Sequence, residues 1–250
     1  MAKEDFSTGE VLKQSILAAF TVLGILAALI FVPMGLEKLE QAKAVARIHE
    51  EAATYLMEKY PGNDFQWETH YEPQTEGYIV QVQSQSSTDT HFRLEHPGDD
   101  TGFCHDTYEY LVPSGLNTRQ RVSDEYEAAV LEVLHGNFPV YEVEADFHGA
   151  QGASRLGKAE AAQDTVVWVT DQEYDASQVG AQIGYVILWL DGTKQTYTDD
   201  QMNRLARQAA ALLDEAGIGV YAFDIMLADS YYYGSPMFHF EKRILKSEMN

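Results

Sequence analysis

The sequence predicts an α+β fold: an N-terminal transmembrane helix followed by one or two units in which helices lie on antiparallel sheets. Three observations predict it. One long apolar run stands near the N-terminus. Segments of period-two alternation are separated by turn residues. Amphipathic helical segments stand between groups of strands instead of alternating with single ones.

Composition narrows the function classes before any motif is read. Hydrophobic residues make up 45% and charged residues 22% of the 250, which excludes disorder or multiple membrane spans over most of the length. Acidic residues number 39 against 17 basic, a formal charge of -22. A chain this acidic repels phosphate backbones, so nucleic acid is not an expected partner. The single cysteine, Cys104, excludes an internal disulfide framework and any multi-cysteine zinc site.

Residues 1–15 form a short tail, and residues 16–36 read ILAAFTVLGILAALIFVPMGL, with Thr21 the only polar side chain. A helix of that length, at about 1.5 Å per residue, matches the hydrocarbon core of a bilayer. The run is longer than the apolar stretch of a signal peptide, no A-x-A site follows it, and no cysteine stands near its end. The expectation is an uncleaved signal anchor whose partner is the lipid bilayer. Lys3 and Lys13 precede it while Lys38, Lys43 and Arg47 follow, so charge does not decide orientation. The shortness of the tail favours residues 37–250 on the outer side of the cell membrane.

Residues 37–135 form the first expected unit. The stretch EKLEQAKAVARIHEEAATYLMEKYPG is an amphipathic helix with Leu39, Ala42, Ala46, Ala53, Leu56 and Tyr60 on one face. Val45, Ile48, Ala52 and Tyr55 widen that stripe, and Pro61-Gly62 ends it. A face so rich in alanine suits close packing on a sheet, with a coiled-coil dimer as the alternative. Phe65, Trp67, Thr69 and Tyr71 alternate with polar residues as a half-buried strand. Tyr78, Val80 and Val82 form its mate beyond the loop 72–77. His91–Leu94 and Tyr108–Val112 are two further short strands. A second helix starts near Asn117-Thr118, carries Val122, Tyr126, Val130 and Val133 on one face, and ends at Gly136.

These residues carry a resemblance. An anchor, a helix ending YLMEKYPG, the strand DFQWETHY and the stretch EGYIVQVQSQSSTDTHFRLE together resemble the YfjL-like family. The later DTYEYLVPSGLNTRQRVSDEYEAAVLEVL follows the same pattern. Members of that family are single-pass, membrane-anchored proteins of Gram-positive bacteria with α+β domains outside the cytoplasm and no assigned activity. The resemblance covers about residues 15–135. It implies location and fold, and it carries over no catalytic residues.

Residues 136–250 form the second expected unit. The stretch 148–163 is rich in glycine and alanine and reads as a loop or a boundary. Thr165–Val169 and the nearly continuous apolar run Gly184–Leu190 are strands, the second placed centrally by its lack of alternation. Thr198-Asp-Asp-Gln201 is a capping box with two aspartates at the positive end of the helix dipole. Met202, Leu205, Ala206, Ala209, Leu212, Leu213 and Ala216 line the inner face, and Gly217 ends the helix. Strands Tyr221–Leu227 and Met237–Ile244 complete a β-β-α-β-β order, which the sequence reads as another antiparallel sheet.

Reactive motifs are few. There is no H-E-x-x-H, no G-x-S-x-G and no glycine-rich phosphate loop. The densest polar constellation is His91, His96, Asp99, Asp100, His105 and Asp106 around HPGDDTGFCHD. Its imidazoles, His91, His96 and His105, are the candidate metal ligands, with Cys104 able to join them. Pro97-Gly98-Asp99 also reads as an ordinary solvated turn. Asp224 and His239 stand in neighbouring strands as a candidate acid–imidazole pair. The loop tyrosines Tyr231, Tyr232 and Tyr233 offer flat, amphipathic area for a partner.

The expectation is therefore a membrane-anchored binding or sensing protein without catalytic residues or a cofactor, directed at an envelope protein or cell-wall ligand. The alternatives are a metal-assisted hydrolase built on the 91–106 loop, and a regulator tethered on the cytoplasmic face.

Overall fold

The computed structural model describes residues 36–99, 101–136, 138–150, 165–232 and 235–249. The expected span 16–36 lies outside the described residues except for Leu36. Among the described residues no helix is long and apolar enough to cross a membrane. The chain is α+β and divides into two compact units. The first comprises Met1–Ser86 with Phe92–Thr107, and the second Ser87–His91 with Tyr108–Asn250.

The first unit sets helix α1 (residues 36–59) beside a four-stranded sheet, β1(Phe65–Glu72), β2(Gly77–Ser84), β3(His91–His96) and β4(His105–Asp106), in that spatial order. β1 and β2 form the expected antiparallel hairpin, with Phe65 opposite Ser84 and Glu72 opposite Gly77. Alternation decides the faces: Tyr78, Val80 and Val82 are buried and Gln81 and Gln83 exposed. The buried stripe of α1 differs from the expected one. Ile48, Ala52, Leu56 and Tyr60 are inside, whereas Leu39 is 52% exposed and Ala42 and Ala46 are exposed as well. The core face mixes the two sets, Ile48 and Ala52 from the widening residues and Leu56 and Tyr60 from the expected stripe, with Tyr60 packed edge-on against Phe65 and Phe92. Ile48, Ala52, Leu56 and Tyr60 are thereby used within the unit.

The second unit contains α2(Tyr108–Leu111), α3(Leu116–Leu134), β5(Glu142–Asp146), α4(Ala176–Ile183), β6(Tyr185–Asp191), α5(Asp199–Glu215), β7(Ala222–Tyr232) and β8(Ser235–Leu245). A short 3-10 turn, Lys246–Glu248, follows. The strands form one sheet in the order β5-β6-β7-β8. Val122, Tyr126, Val130 and Leu134 of α3 share a core with Val179 and Ile183 of α4, with Met202, Ala206 and Leu213 of α5, and with Val186, Leu188 and Phe223 of the sheet. The helix at 116–134, expected with the first unit, thus belongs to the second, and the boundary falls near residue 107 instead of 135. Its apolar face has its partners on β5, α4 and α5.

Three further expectations are corrected. β6 and β7 run parallel, Tyr185 opposite Ala222 through Asp191 opposite Ala228, so the sheet is mixed. A strand returning across the long helix α5 re-enters in the same direction, as a hairpin cannot. Tyr108–Leu111 is a single helical turn and not a strand. Val112 N–H bonds Tyr108 O at 2.9 Å, and Gly115, at φ +71°, donates to Val112 O at 3.0 Å, so these backbone groups are satisfied locally. Residues 165–169 form no strand either. The Tyr174 hydroxyl accepts from Val169 N–H at 2.9 Å and donates to Val167 O at 2.7 Å, in place of a neighbouring strand. The capping box is present: Thr198 Oγ1 accepts from Gln201 N–H and Gln201 Oε1 from Thr198 N–H.

Candidate functional site

Strand geometry decides the fate of the three histidines. His91 and His96 are five residues apart on β3, so their side chains leave opposite faces, His91 exposed and His96 buried. His105 sits opposite Glu95 on the face of His91. Glu95 stands four positions along the strand from His91, about 13 Å, too far for a shared ion. Asp100 lies outside the described residues, and among those described no group of three or more His, Cys, Asp or Glu side chains could hold a metal ion. The three histidines expected as ligands at 91–106 are therefore not brought together. His96 instead closes a local chain. Gly98 N–H donates to its Nδ1 at 2.9 Å, so the ring hydrogen sits on Nε2, which reaches Glu51 Oε2 at 3.1 Å. Arg47 then bonds Glu51 Oε1 at 2.8 Å and Gly98 O at 3.0 Å. Together these contacts pin the Pro97-Gly98 turn to α1.

The neighbouring Asp106 gathers three donors on one carboxylate oxygen. Tyr55 and Tyr60 hydroxyls and Lys59 Nζ all reach Oδ2, at 2.8, 2.7 and 2.7 Å. Burial first, then the Asp106 carboxylate, raises the pKa of the Tyr60 hydroxyl above its usual range, so it stays protonated. The hydrogen bond to Asp106 and that to Tyr55 hold Lys59 protonated well above its ordinary value. The cluster ties the end of α1 to β4, which explains how a strand of two residues holds its place.

In the second unit two buried acids, Asp89 and Asp224, are paired with arginines. Asp89, with only 1% of its side chain exposed, receives Arg121 through Nε at 2.9 Å and Nη2 at 3.2 Å, and the Thr118 hydroxyl at 2.6 Å. Its backbone N–H bonds Asp171 Oδ1 while Asp171 N–H returns to its carboxylate. Burial works to raise the Asp89 carboxyl, yet Arg121 and Thr118 outweigh it and hold it below the ordinary carboxylate range. Beside this clamp lies an open groove of about 490 Å³, lined by Thr88, His91, Gln120, Arg121, Asp124 and Glu125.

Asp224 does not meet His239. Its cross-strand partner is Arg243, and His239 pairs with Leu227 three positions along. Arg243 grips the carboxylate bidentately at 2.6 and 2.7 Å, stacks over the Tyr185 ring at 4.2 Å, and both groups are almost fully buried. Ala150 N–H adds a bond to Asp224 Oδ2 at 2.7 Å. Gly149, at φ +75°, is required here: a Cβ would stand 2.5 Å from Arg243 Nη2. This pair is a fixed element of the sheet, while His239 is exposed and borders Glu241 at 3.3 Å.

Tyr231 and Tyr232 lie on β7 rather than in a loop, and Tyr233 lies outside the described residues. β6 stops at Asp191 opposite Ala228, but β7 and β8 continue, with Tyr231 opposite Pro236 and Tyr232 opposite Ser235. This two-stranded arm exposes Tyr231 at 48%, Tyr232 at 62% and Met237 at 51%. The Tyr231 hydroxyl donates to Asp191 Oδ2 at 3.0 Å, anchoring the arm's base. Hydrogen bonds from Lys194 and then from Thr193 hold the Asp191 carboxyl well below its ordinary range, so it remains an acceptor. Sequence reasoning missed the Asp89 and Asp106 clusters, whose members lie far apart in the chain and form no local pattern.

No family model matches the chain, and no curated protein matches it. Comparison with solved structures pairs it with a DUF5037 family protein from Ruminococcus gnavus ATCC 29149. The two are 15% identical over 74% of this chain and 73% of that one, with a TM-score of 0.23.

Proposed function

We propose that the chain is a single-pass membrane protein of the YfjL-like kind whose α+β region lies outside the cytoplasm and binds or senses an envelope protein or cell-wall ligand. The observation that carries this reading is the apolar run 16–36, uncharged throughout, ahead of a folded, acidic region. Two features support binding over catalysis. The buried carboxylates Asp89 and Asp224 and the half-buried Asp106 each answer to a resident cation or tyrosine, which commits them to structure. The exposed aromatics of the β7–β8 arm provide contact area with few rotatable bonds.

Topology tests the reading. Asn250→Cys in a Cys104→Ala background is to be labelled on intact cells with a membrane-impermeant maleimide, with lysed cells as control. Labelling before lysis is the expected result and directs ligand screens to the envelope. Labelling only after lysis would overturn the extracytoplasmic placement and favour a regulator facing cytoplasmic partners.

A further inference from the structure

A sheet edge exposes unpaired backbone N–H and C=O groups, and folded proteins blunt such edges by shortness, charge, proline or a bulge. Three of the edges here follow that rule. β4 has two residues; β5 carries Glu142, Glu144 and Asp146; β8 carries Pro236 and Lys242 and is bulged opposite Ile225 and Met226. β1 follows it least: it is long and unbulged, and its two charges, Glu68 and Glu72, share their face with His70 instead of forming an all-acidic row as on β5. Its eight residues, FQWETHYE, pair with β2 in unbroken register and contain no proline, lysine or arginine. Among the described residues no hydrogen bond reaches its outer backbone.

The β1 sequence is self-complementary about Thr69. Two antiparallel copies with Thr69 opposite Thr69 set Trp67 opposite Tyr71 twice on the face that carries α1. On the solvent face they set Glu68 opposite His70 and Gln66 opposite Glu72, each twice. Centring the pairing on Glu68 would oppose that carboxylate to itself, and centring it on His70 would oppose Glu68 to Glu72. Beside the edge, a shallow groove of about 170 Å³ is lined by Leu56, Met57, Phe65 and Trp67, and Met57 is 68% exposed. An apolar groove flanking an open, self-complementary strand fits a second copy of the same surface.

We propose that the chain is a two-fold dimer in which β1 pairs antiparallel with β1 of a second copy, centred on Thr69, joining two four-stranded sheets into one. Such an isologous contact closes on itself and leaves no free edge on that side. The inference rests on unit geometry and not on the membrane reading, so either can fail without the other.

The test is cross-linking of the full chain in detergent, in the Cys104→Ala background. Opposed Cβ atoms in such a pair lie about 4.5–5.5 Å apart, within small adjustment of disulfide distance. Thr69→Cys is expected to give a covalent species of twice the chain mass under mild oxidation. Gln66→Cys, whose copies would lie about 20 Å apart, is expected to give none. Trp67→Cys and Tyr71→Cys are expected to cross-link only when the two variants are mixed. Light scattering of the unmodified chain should read a dimer, and Glu68→Lys, which sets a lysine opposite His70, should shift it towards monomer. A monomeric chain, or cross-linking at Gln66 as strong as at Thr69, overturns the proposal. A β1 edge reserved for another protein would appear as the monomeric outcome.

Discussion

Asp89, Asp106 and Asp224 show how a chain of such negative charge places carboxylates inside its units. Removing a carboxylate from water costs several kcal/mol, and only close cations and donors offset that. Asp89 has a guanidinium, a hydroxyl and a backbone N–H, and its carboxyl is held below the ordinary value. The consequence for pH has a definite sign. An unfolded aspartate titrates near about pH 3.9. Because the folded value is lower, the Asp89 contribution is fully present above the unfolded value and is lost as pH falls through the folded one. Thermal melting between about pH 6 and about pH 2 is expected to show a steeper acid loss for the unmodified chain than for Asp89→Asn. At neutral pH that variant should lose about 3 kcal/mol, the low end for a buried pair, because Arg121 keeps 21% exposure. Parallel acid slopes would show that Asp89 is not the ionised partner of Arg121. None of this pairing is visible in sequence, since Asp89 stands in the β2–β3 loop and Arg121 on α3. By contrast, Val122, Tyr126 and Val130 were legible as inner residues from helical spacing alone.

Elements show a competition between local preference and packing. Gly180 lies inside α4, where glycine ordinarily costs a helix about 1 kcal/mol relative to alanine. Propensity alone would make Gly180→Ala stabilising. The structure reverses that sign, because an added Cβ would stand 2.3 Å from Tyr126 Cε2 and 2.5 Å from Gly219 O. Overpacking of this kind costs about 1–3 kcal/mol, so the variant is expected to melt at a lower temperature. A rise in Tm would mean that α3 and α4 can separate at no cost. α4 itself escaped sequence reasoning, because its ASQVGAQI is short and half polar, and its cap, Asp175, looks like any loop aspartate. α5 was legible from both ends, through its capping box and Gly217. The hairpin β1–β2 was legible for the same kind of reason, a strict alternation interrupted by a turn. The 165–169 segment misled because β-branched residues and a tryptophan signal a strand wherever they stand. Here Trp168 instead packs into the helix-side core.

At the scale of the whole molecule, a formal charge of -22 has to be carried at close quarters. Self-repulsion opposes a compact state, and salt screens it beyond a Debye length of about 10 Å at 0.1 M. The Tm is therefore expected to rise as ionic strength increases from about 0.02 M to about 0.5 M. A falling Tm would mean that screened ion pairs such as Lys59–Asp106 and Lys246–Asp214 outweigh the general repulsion. The sequence by itself determined the apolar segment at 16–36, the α+β class, the β1–β2 hairpin and the caps of α5. All of these are written in local periodicity or in neighbouring residues. Only the tertiary structure decided that α3 joins the second sheet, that β6 and β7 run parallel, that the three histidines stay apart, and that Arg243 rather than His239 meets Asp224. Those outcomes depend on which distant strands lie side by side and in what register. A one-residue change of register alters every partner without altering any local pattern.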